Sequence, residues 1–341
     1  MAIRMEKPTL RRKDMDAVLQ TMADEQIGPG QHTQAFIDMF RRALGTEGSA
    51  YALRTHVDAL LHALRSLRLT PGSRIAVSAL SPRMYRHVIE SAGHVTVVLD
   101  IDGQTGNLAF ERVSGQQGLD ALLLFEPYGN IPGDDDWKGL GIPIIEDISE
   151  SLGSTHGERS AGLIGDVIVC AFEESSVVST GGGSIVYAKD SDFAKGIAES
   201  VDPLLPYIVM PGMNAALGVV QFEHMLRNIE RRRAIHDRFR QALMRTRHRL
   251  FGITDIEFAT NGHGFVAVLD AKPEEGRQFA LRYEVATSLA FPLTVISDQT
   301  DRYDLYPHAI PCIHRAVRFP LYPFLSKEQV AQIEKVISHL P

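Results

Sequence analysis

The chain has 341 residues, 44% of them hydrophobic and 23% charged, a balance that buries a sizeable core and excludes wholesale disorder. Its formal charge of -7 gives no general attraction to nucleic acid or to anionic membrane surfaces, and no stretch approaches the ~18 uninterrupted apolar residues of a membrane-spanning helix. The length favours a large domain with a smaller appendage.

The start, "MAIRMEKPTLRRKDMD", lacks the apolar stretch of a signal peptide, so the cytoplasm is the expected compartment. "GPGQHTQAFIDMFRRALG" spaces Phe36, Met39, Phe40 and Leu44 for an amphipathic helix ending at Gly45. "THVDALLHALRSLRLTPG" predicts a second helix with Thr55 as N-cap and Val57, Leu60, Leu61, Leu64 and Leu67 on one stripe. Strand "RIAVSAL", a helix from about Arg83 to Ala92, then strands "HVTVVLDID", "DALLLFE", "IPIIED", "DVIVCAF" and "SIVYAKD" follow. Short apolar runs separated by helices or turns suit a mostly parallel sheet buried on both faces.

After Pro211 the stretch "MNAALGVVQFEHMLRNIERRRAIHDRFRQALMRTRHRL" predicts one long helix linking residues 1–210 to a smaller α+β unit in 211–341. That unit holds strand "GFVAVLD", helix "PEEGRQFALRY" and a closing helix capped by Ser326.

Asp134, Asp135 and Asp136 lack the spacing of a calcium loop and read as a solvated turn. Arg231, Arg232 and Arg233 alternate with acids and read as a salt-bridged exposed helix face. Neither cysteine, Cys170 or Cys312, has metal-ligand spacing, the histidines form no paired motif, and no metal is expected. Two places carry more. Asp147 closes a strand at its carboxyl end, where open α/β sheets bind ligands, and the loop Glu173–Gly183 follows another strand of the same sheet.

Taken in order, "IGPGQHTQAFIDMF", "LTPGSRIAVSAL", "VVLDIDGQTGNL", "EPYGNIPG", "IPIIEDISESLGSTHGERSAGLIGDVIVCAF", "NAALGVVQFEHMLRNIERRRAIHDRF" and "FPLYPFLSKEQVAQIEKV" resemble the DegT/DnrJ/EryC1/StrS family of nucleotide-sugar aminotransferases, pyridoxal-phosphate enzymes of fold type I. The resemblance implies a seven-stranded, mostly parallel sheet domain, a smaller C-terminal α+β domain, and a dimer with shared active sites. It also implies a Schiff-base lysine, an aspartate on the pyridine nitrogen, and phosphate donors at a helix start and before the lysine.

Asp147 matches the pyridine partner. The lysine position is Ser176, which forms no imine, and the nearest following lysine is Lys189. The phosphate serine is Ala171, the Gly-Thr pair is His56 and Val57, the stacking aromatic is Pro82, and the cross-subunit asparagine aligns near Tyr207. The glutamine after the aspartate is Glu150, and the His-Tyr-Pro loop is Ala290, Phe291 and Pro292.

This pattern predicts a non-transaminating binding or regulatory subunit, as a homodimer or a heterodimer with an active paralogue, with no cofactor and a possible sugar-nucleotide ligand. Its pocket would be lined by Arg54, His56, Asp147, Glu150, Glu173, Ser175 and Ser176. Two alternatives stand beside it. One is lysine-independent acid–base chemistry on a nucleotide sugar, with His56 and Glu150 as its groups. The other is a pyridoxal-phosphate aminotransferase whose lysine comes from elsewhere.

Overall fold

Strands form here because each apolar run finds two faces to bury. The computed structural model describes residues 2–133 and 136–341. Helices α1 (Arg12–Ala23) and α2 (Gln31–Leu44) lead into β1 (Ser49–Leu53), α3 (His56–Ser66), β2 (Arg74–Ser78), α4 (Met84–Ser91), β3 (Val95–Leu99) and α5 (Phe110–Ser114). Strands β4 (Ala121–Phe125) and β5 (Ile144–Asp147) follow, then the small hairpin β6 (Thr155–His156) and β7 (Arg159–Ser160), then β8 (Val167–Ala171), β9 (Ser184–Ala188) and α6 (Ser191–Val201).

Seven of these strands form one sheet in the order β1-β9-β8-β5-β4-β2-β3. Only β9 runs against its neighbours; the rest share one direction, so β1, β5 and β8 end on the same edge. Side chains alternate as a two-residue period requires. Val167, Val169, Val186 and Ala188 pack with Leu60 and Leu64 of α3 and Ile197 of α6. On the other face, Ile168, Cys170, Ile185 and Tyr187 pack with Phe36 and Phe40 of α2 and Phe222. Cys170 is a buried free thiol, and burial pushes its pKa well above the ordinary value.

The single long helix expected after Pro211 is two, α7 (Gly212–Glu223) and α8 (Met225–Leu243), separated at His224, whose φ of -105° and ψ of 0° leave the helical range. Helix α7 packs against α1 and α2, whereas α8 turns to the C-terminal sheet. Strands β10 (Arg249–Leu250), β11 (Phe258–Ala259) and β12 (Phe265–Val268) follow, then α9 (Pro273–Arg282), β13 (Ser288–Leu289), α10 (Ala309–Arg315), β14 (Ala316–Phe319) and α11 (Lys327–Ile337). An antiparallel sheet runs β10-β12-β14-β13, while β11 joins the β6–β7 hairpin. Phe265, Phe319, Phe239 and Ile333 fill the core beneath the C-terminal sheet.

Two local readings change. Val57 is 40% exposed, off the buried stripe, because it lies on the open side of the first turn of α3. The arginine cluster is not an exposed ion-paired face: Arg232 is buried and donates to the carbonyls of Gly262 and Leu321, and Arg233 donates to those of Gly153, Ala259 and Thr260. Asp134 and Asp135 lie outside the described residues, while Asp136 accepts from the Gly139 N–H at 2.9 Å.

The N-terminal segment reaches across to the C-terminal part of the chain. Ile3 makes a parallel bridge with Val285, Glu6 pairs with Arg318, and Gln221 donates to the Thr9 carbonyl and to Asp14. No helix among the described residues is long and apolar enough to cross a membrane, and no group of three or more candidate metal ligands occurs among them.

Candidate functional site

The loops after β1, β5 and β8 leave the same edge of the sheet and meet there. Thr55 starts α3 by accepting the Asp58 N–H at 3.1 Å on its hydroxyl, and this cap fixes the chain so that His56 begins the helix. His56 Nε2 then lies 2.6 Å from Asp147 Oδ2 at the end of β5. The Tyr85 hydroxyl, from α4, donates to the same oxygen. Asp147 Oδ1 accepts from the Ser149 N–H at 2.9 Å and from the Ser149 hydroxyl. A carboxylate offers about four lone-pair sites, and these four donors use them while Asp147 stays 0% exposed.

Burial by itself pushes the Asp147 carboxyl up, but the His56 charge and the hydrogen bonds from His56, Ser149 and Tyr85 outweigh it and hold the group below the usual carboxylate range. Burial likewise pulls His56 down, and Asp147, with Glu173 and Glu150, overcomes it and keeps the imidazole pKa raised. The side chain of His56 is 12% exposed, and its Nδ1 has no hydrogen-bond partner among the described residues. Burial, then Asp147, drives the Tyr85 phenol well above its ordinary value, so Tyr85 stays a donor.

Glu150 lies beside this pair. Its Oε2 accepts the Tyr128 N–H at 2.7 Å, and its Oε1 lies 3.9 Å from His263 Nε2, beyond hydrogen-bond range. Burial pushes Glu150 up to about 7, against the Tyr128 N–H and Arg318. His263 is held well below its ordinary value, by burial first and then by Arg318 and Arg232, and so is neutral. Tyr128 sits at a φ of 53°, a left-handed conformation uncommon outside glycine, and its hydroxyl donates to the Ala290 carbonyl at 2.5 Å. Its ring packs edge-on against Phe251 and Phe291.

The loop after β8 is compact. The Phe172 carbonyl accepts from the Thr180 and Gly182 N–H groups, both at 3.1 Å, and Val177 and Val178 are buried beneath. Ser176 is 7% exposed and donates to the Ala171 carbonyl at 3.4 Å, so it is folded into the loop and does not line an open pocket as expected. Ser175 is half-buried; Glu173 and Arg54 are exposed at the mouth. Gly183, at a φ of 107°, admits no side chain, since a Cβ there meets the Met210 methyl carbon at 2.2 Å. Lys189 follows the end of β9 where Ala188 pairs with Val167, while Asp147 pairs with Val169, so Lys189 lies about three residues or ~10 Å back along the sheet from Asp147, away from the edge where the loops meet. It is no substitute for the missing lysine.

Pyridoxal phosphate does not fit these residues. Asp147 has no acceptor site left for a pyridine nitrogen, no lysine stands at the loop, and Ala171 has no hydroxyl while its N–H already donates to Ser149 Oγ at 2.8 Å. Sequence reasoning reached His56, Asp147 and Glu150 and missed Tyr85, Ser149, Tyr128 and His263. Tyr85 had one readable signal, a polar-tipped ring on the inner face of an amphipathic helix.

A mostly parallel sheet covered on both faces, followed by helices and a second antiparallel sheet, defines the aminotransferase-like architecture of fold type I. Residues 8–200 and 208–338 match the DegT/DnrJ/EryC1/StrS aminotransferase family, and the chain belongs to it. It is 25% identical to the dTDP-4-dehydro-2,3,6-trideoxy-D-glucose 4-aminotransferase of Saccharopolyspora spinosa, over 99% of this chain and 97% of that one. The aminotransferase TlmJ of Streptoalloteichus hindustanus superposes with a TM-score of 0.89 at 21% identity, covering 99% of this chain and 98% of its own. The PLP form of the putative sugar aminotransferase Spr1654 of Streptococcus pneumoniae gives a TM-score of 0.85 at 20% identity, covering 99% and 98%.

These relatives overturn the expected role as a binding or regulatory subunit. They are named as aminotransferases and match across nearly the whole chain, and nothing in them supports a heterodimer with a paralogue.

Proposed function

We propose that the chain is an enzyme of nucleotide-sugar metabolism that moves a proton at the carbon beside the ketone of a nucleotide-linked keto-sugar, without pyridoxal phosphate. The observation that carries this reading is the charged His56 imidazole, backed by Asp147 at 2.6 Å with Nδ1 unclaimed, beside Glu150, whose pKa of about 7 suits a base at neutral pH. The substrate class follows from the S. spinosa relative, whose name places a ketone on a dTDP-linked sugar.

In this mechanism the Glu150 carboxylate takes the proton from carbon, and the His56 Nδ1–H donates to the ketone oxygen as negative charge develops there, giving an enol. Return of a solvent-exchanged proton from Glu150 to the same carbon gives isotope exchange, with no other reactant consumed. Asp147, fixed by Tyr85 and Ser149, orients the ring and stabilises its charge. Arg54, exposed at the mouth, is the cation suited to the diphosphate, and Glu173 and Ser175 border it. Residues 1–210 carry the acid and the base, and 211–341 place His263 and Arg318 behind Glu150. The working species is a cytoplasmic homodimer.

The test incubates the protein with a dTDP-4-keto-sugar in deuterated water, with no cofactor added, and follows deuterium at the carbon beside the ketone by NMR. Wild type should exchange faster than the sugar alone, with a rate rising as pH passes about 7. His56→Ala and Glu150→Gln should each lose about a hundredfold or more. No exchange above background, or exchange untouched by both substitutions, sinks the proposal.

A further inference from the structure

We infer that His56 is the residue that excludes pyridoxal phosphate from this crevice, ahead of the missing lysine; this rests on the reading that the site works without the cofactor. A protonated pyridine nitrogen needs one acceptor on Asp147. Both oxygens are already saturated, Oδ2 by His56 and Tyr85 and Oδ1 by the two Ser149 donors. The imidazole is the occupant that supplies the same element of recognition as the ring nitrogen would, a flat cation donating one N–H to the carboxylate.

Its neighbours hold it there. Tyr85 meets the His56 ring edge-on at 6.4 Å between centroids, and Ser149 Oγ lies 3.4 Å from Nε2 while accepting the Ala171 N–H. Ser149 therefore ties together the imidazole, the carboxylate and the strand end that leads to Ser176. A lysine placed at 176 would add the amine and leave the ring nitrogen without an acceptor, because the buried ion pair must break before the cofactor can sit down.

The experiment compares wild type, Ser176→Lys, His56→Gly/Ser176→Lys and His56→Gln/Ser176→Lys, each mixed with pyridoxal phosphate. The readouts are the absorption of a lysine imine and the mass of the borohydride-reduced peptide. Wild type and Ser176→Lys should give no saturable complex. The His56→Gly double variant should bind at least about a hundredfold more tightly than Ser176→Lys. The glutamine double variant, whose Nε2 stands where the imidazole Nε2 does, keeps a neutral donor on Asp147 and should exclude the cofactor as histidine does.

A saturable imine in Ser176→Lys alone overturns the inference. So does tight cofactor binding to wild type while the His56 ring resonances stay unchanged in NMR. These two measurements use chains that keep the His56–Asp147 pair, so they decide the matter even where the glycine variant does not fold. Because binding is read spectroscopically, the result stands whether or not proton exchange is found.

Discussion

Asp147 and His56 stabilise each other only where one is ionised and the other protonated, and this sets the pH range over which the crevice is secure. Asp147 has a depressed pKa, so its contribution is present above the unfolded value near 3.8 and is lost as pH falls through the folded one. His56 has a raised pKa, so its contribution is full below about 6.5 and is lost as pH rises through the folded value. Glu150 adds to the alkaline loss: its pKa of about 7 lies above the ordinary 4.5 of a free side chain, so its burial costs more as pH climbs between the two. Denaturation midpoints should therefore be highest between roughly pH 4 and 5 and fall as pH climbs toward 7. His56→Ala should cost about 3–5 kcal/mol at pH 5, where it leaves a buried charge unpaired, and less at pH 9; an equal cost at both would argue against the charged pair. The carboxylate and the histidine were legible in the sequence because one ends an apolar run and the other opens a capped helix. Tyr85 and Ser149 were not, since their meeting depends on how α4 folds back over the sheet end and on a turn two residues after Asp147.

At the scale of elements, packing outvotes propensity. Gly218 lies inside α7, where alanine is intrinsically better by about 1 kcal/mol, yet a Cβ there would meet Phe36 of α2 at 2.3 Å and Thr180 at 2.9 Å. Overpacking of this kind costs typically ~1–3 kcal/mol, and Phe36 is fully buried against Phe172 and Phe222, with little room to yield. Gly218→Ala should therefore destabilise on balance, by about 1 kcal/mol, in urea denaturation; a stabilised variant would mean the α2–α7 contact is loose. The strands were readable because their apolar runs are short and bounded. The break between α7 and α8 was not, because neither glycine nor proline marks His224 and the apolar spacing runs on through it. The arginines of α8 misled for a related reason: composition cannot distinguish a solvated guanidinium from one bonded to carbonyls under a sheet.

Across the whole molecule, two devices hold the large sheet to the C-terminal one. Tyr128 spans them, its N–H on Glu150 and its hydroxyl on the Ala290 carbonyl, with Arg318 over its ring at 5.9 Å. The N-terminal segment is the other, through Ile3, Glu6, Arg11 on Asn228, and Asp14 on Gln221. Removing residues 1–11 should lower the thermal midpoint by several degrees, since a few kcal/mol of buried contacts go. It should also speed hydrogen exchange at β14, where Arg318 loses Glu6, more than at β4. Equal effects on both sheets would mean the segment acts only as a cover.

The bridge from Ile3 to Val285 also orders events in time. On the ribosome, Ile3 has no such partner until the turn before β13 has been made, tens of seconds after its own synthesis at ~5–20 residues per second. The seven-stranded sheet can close while Ile3 still waits in solvent. The segment around Ile3 therefore docks after the large sheet has formed, and it is most open to chaperone capture in that interval.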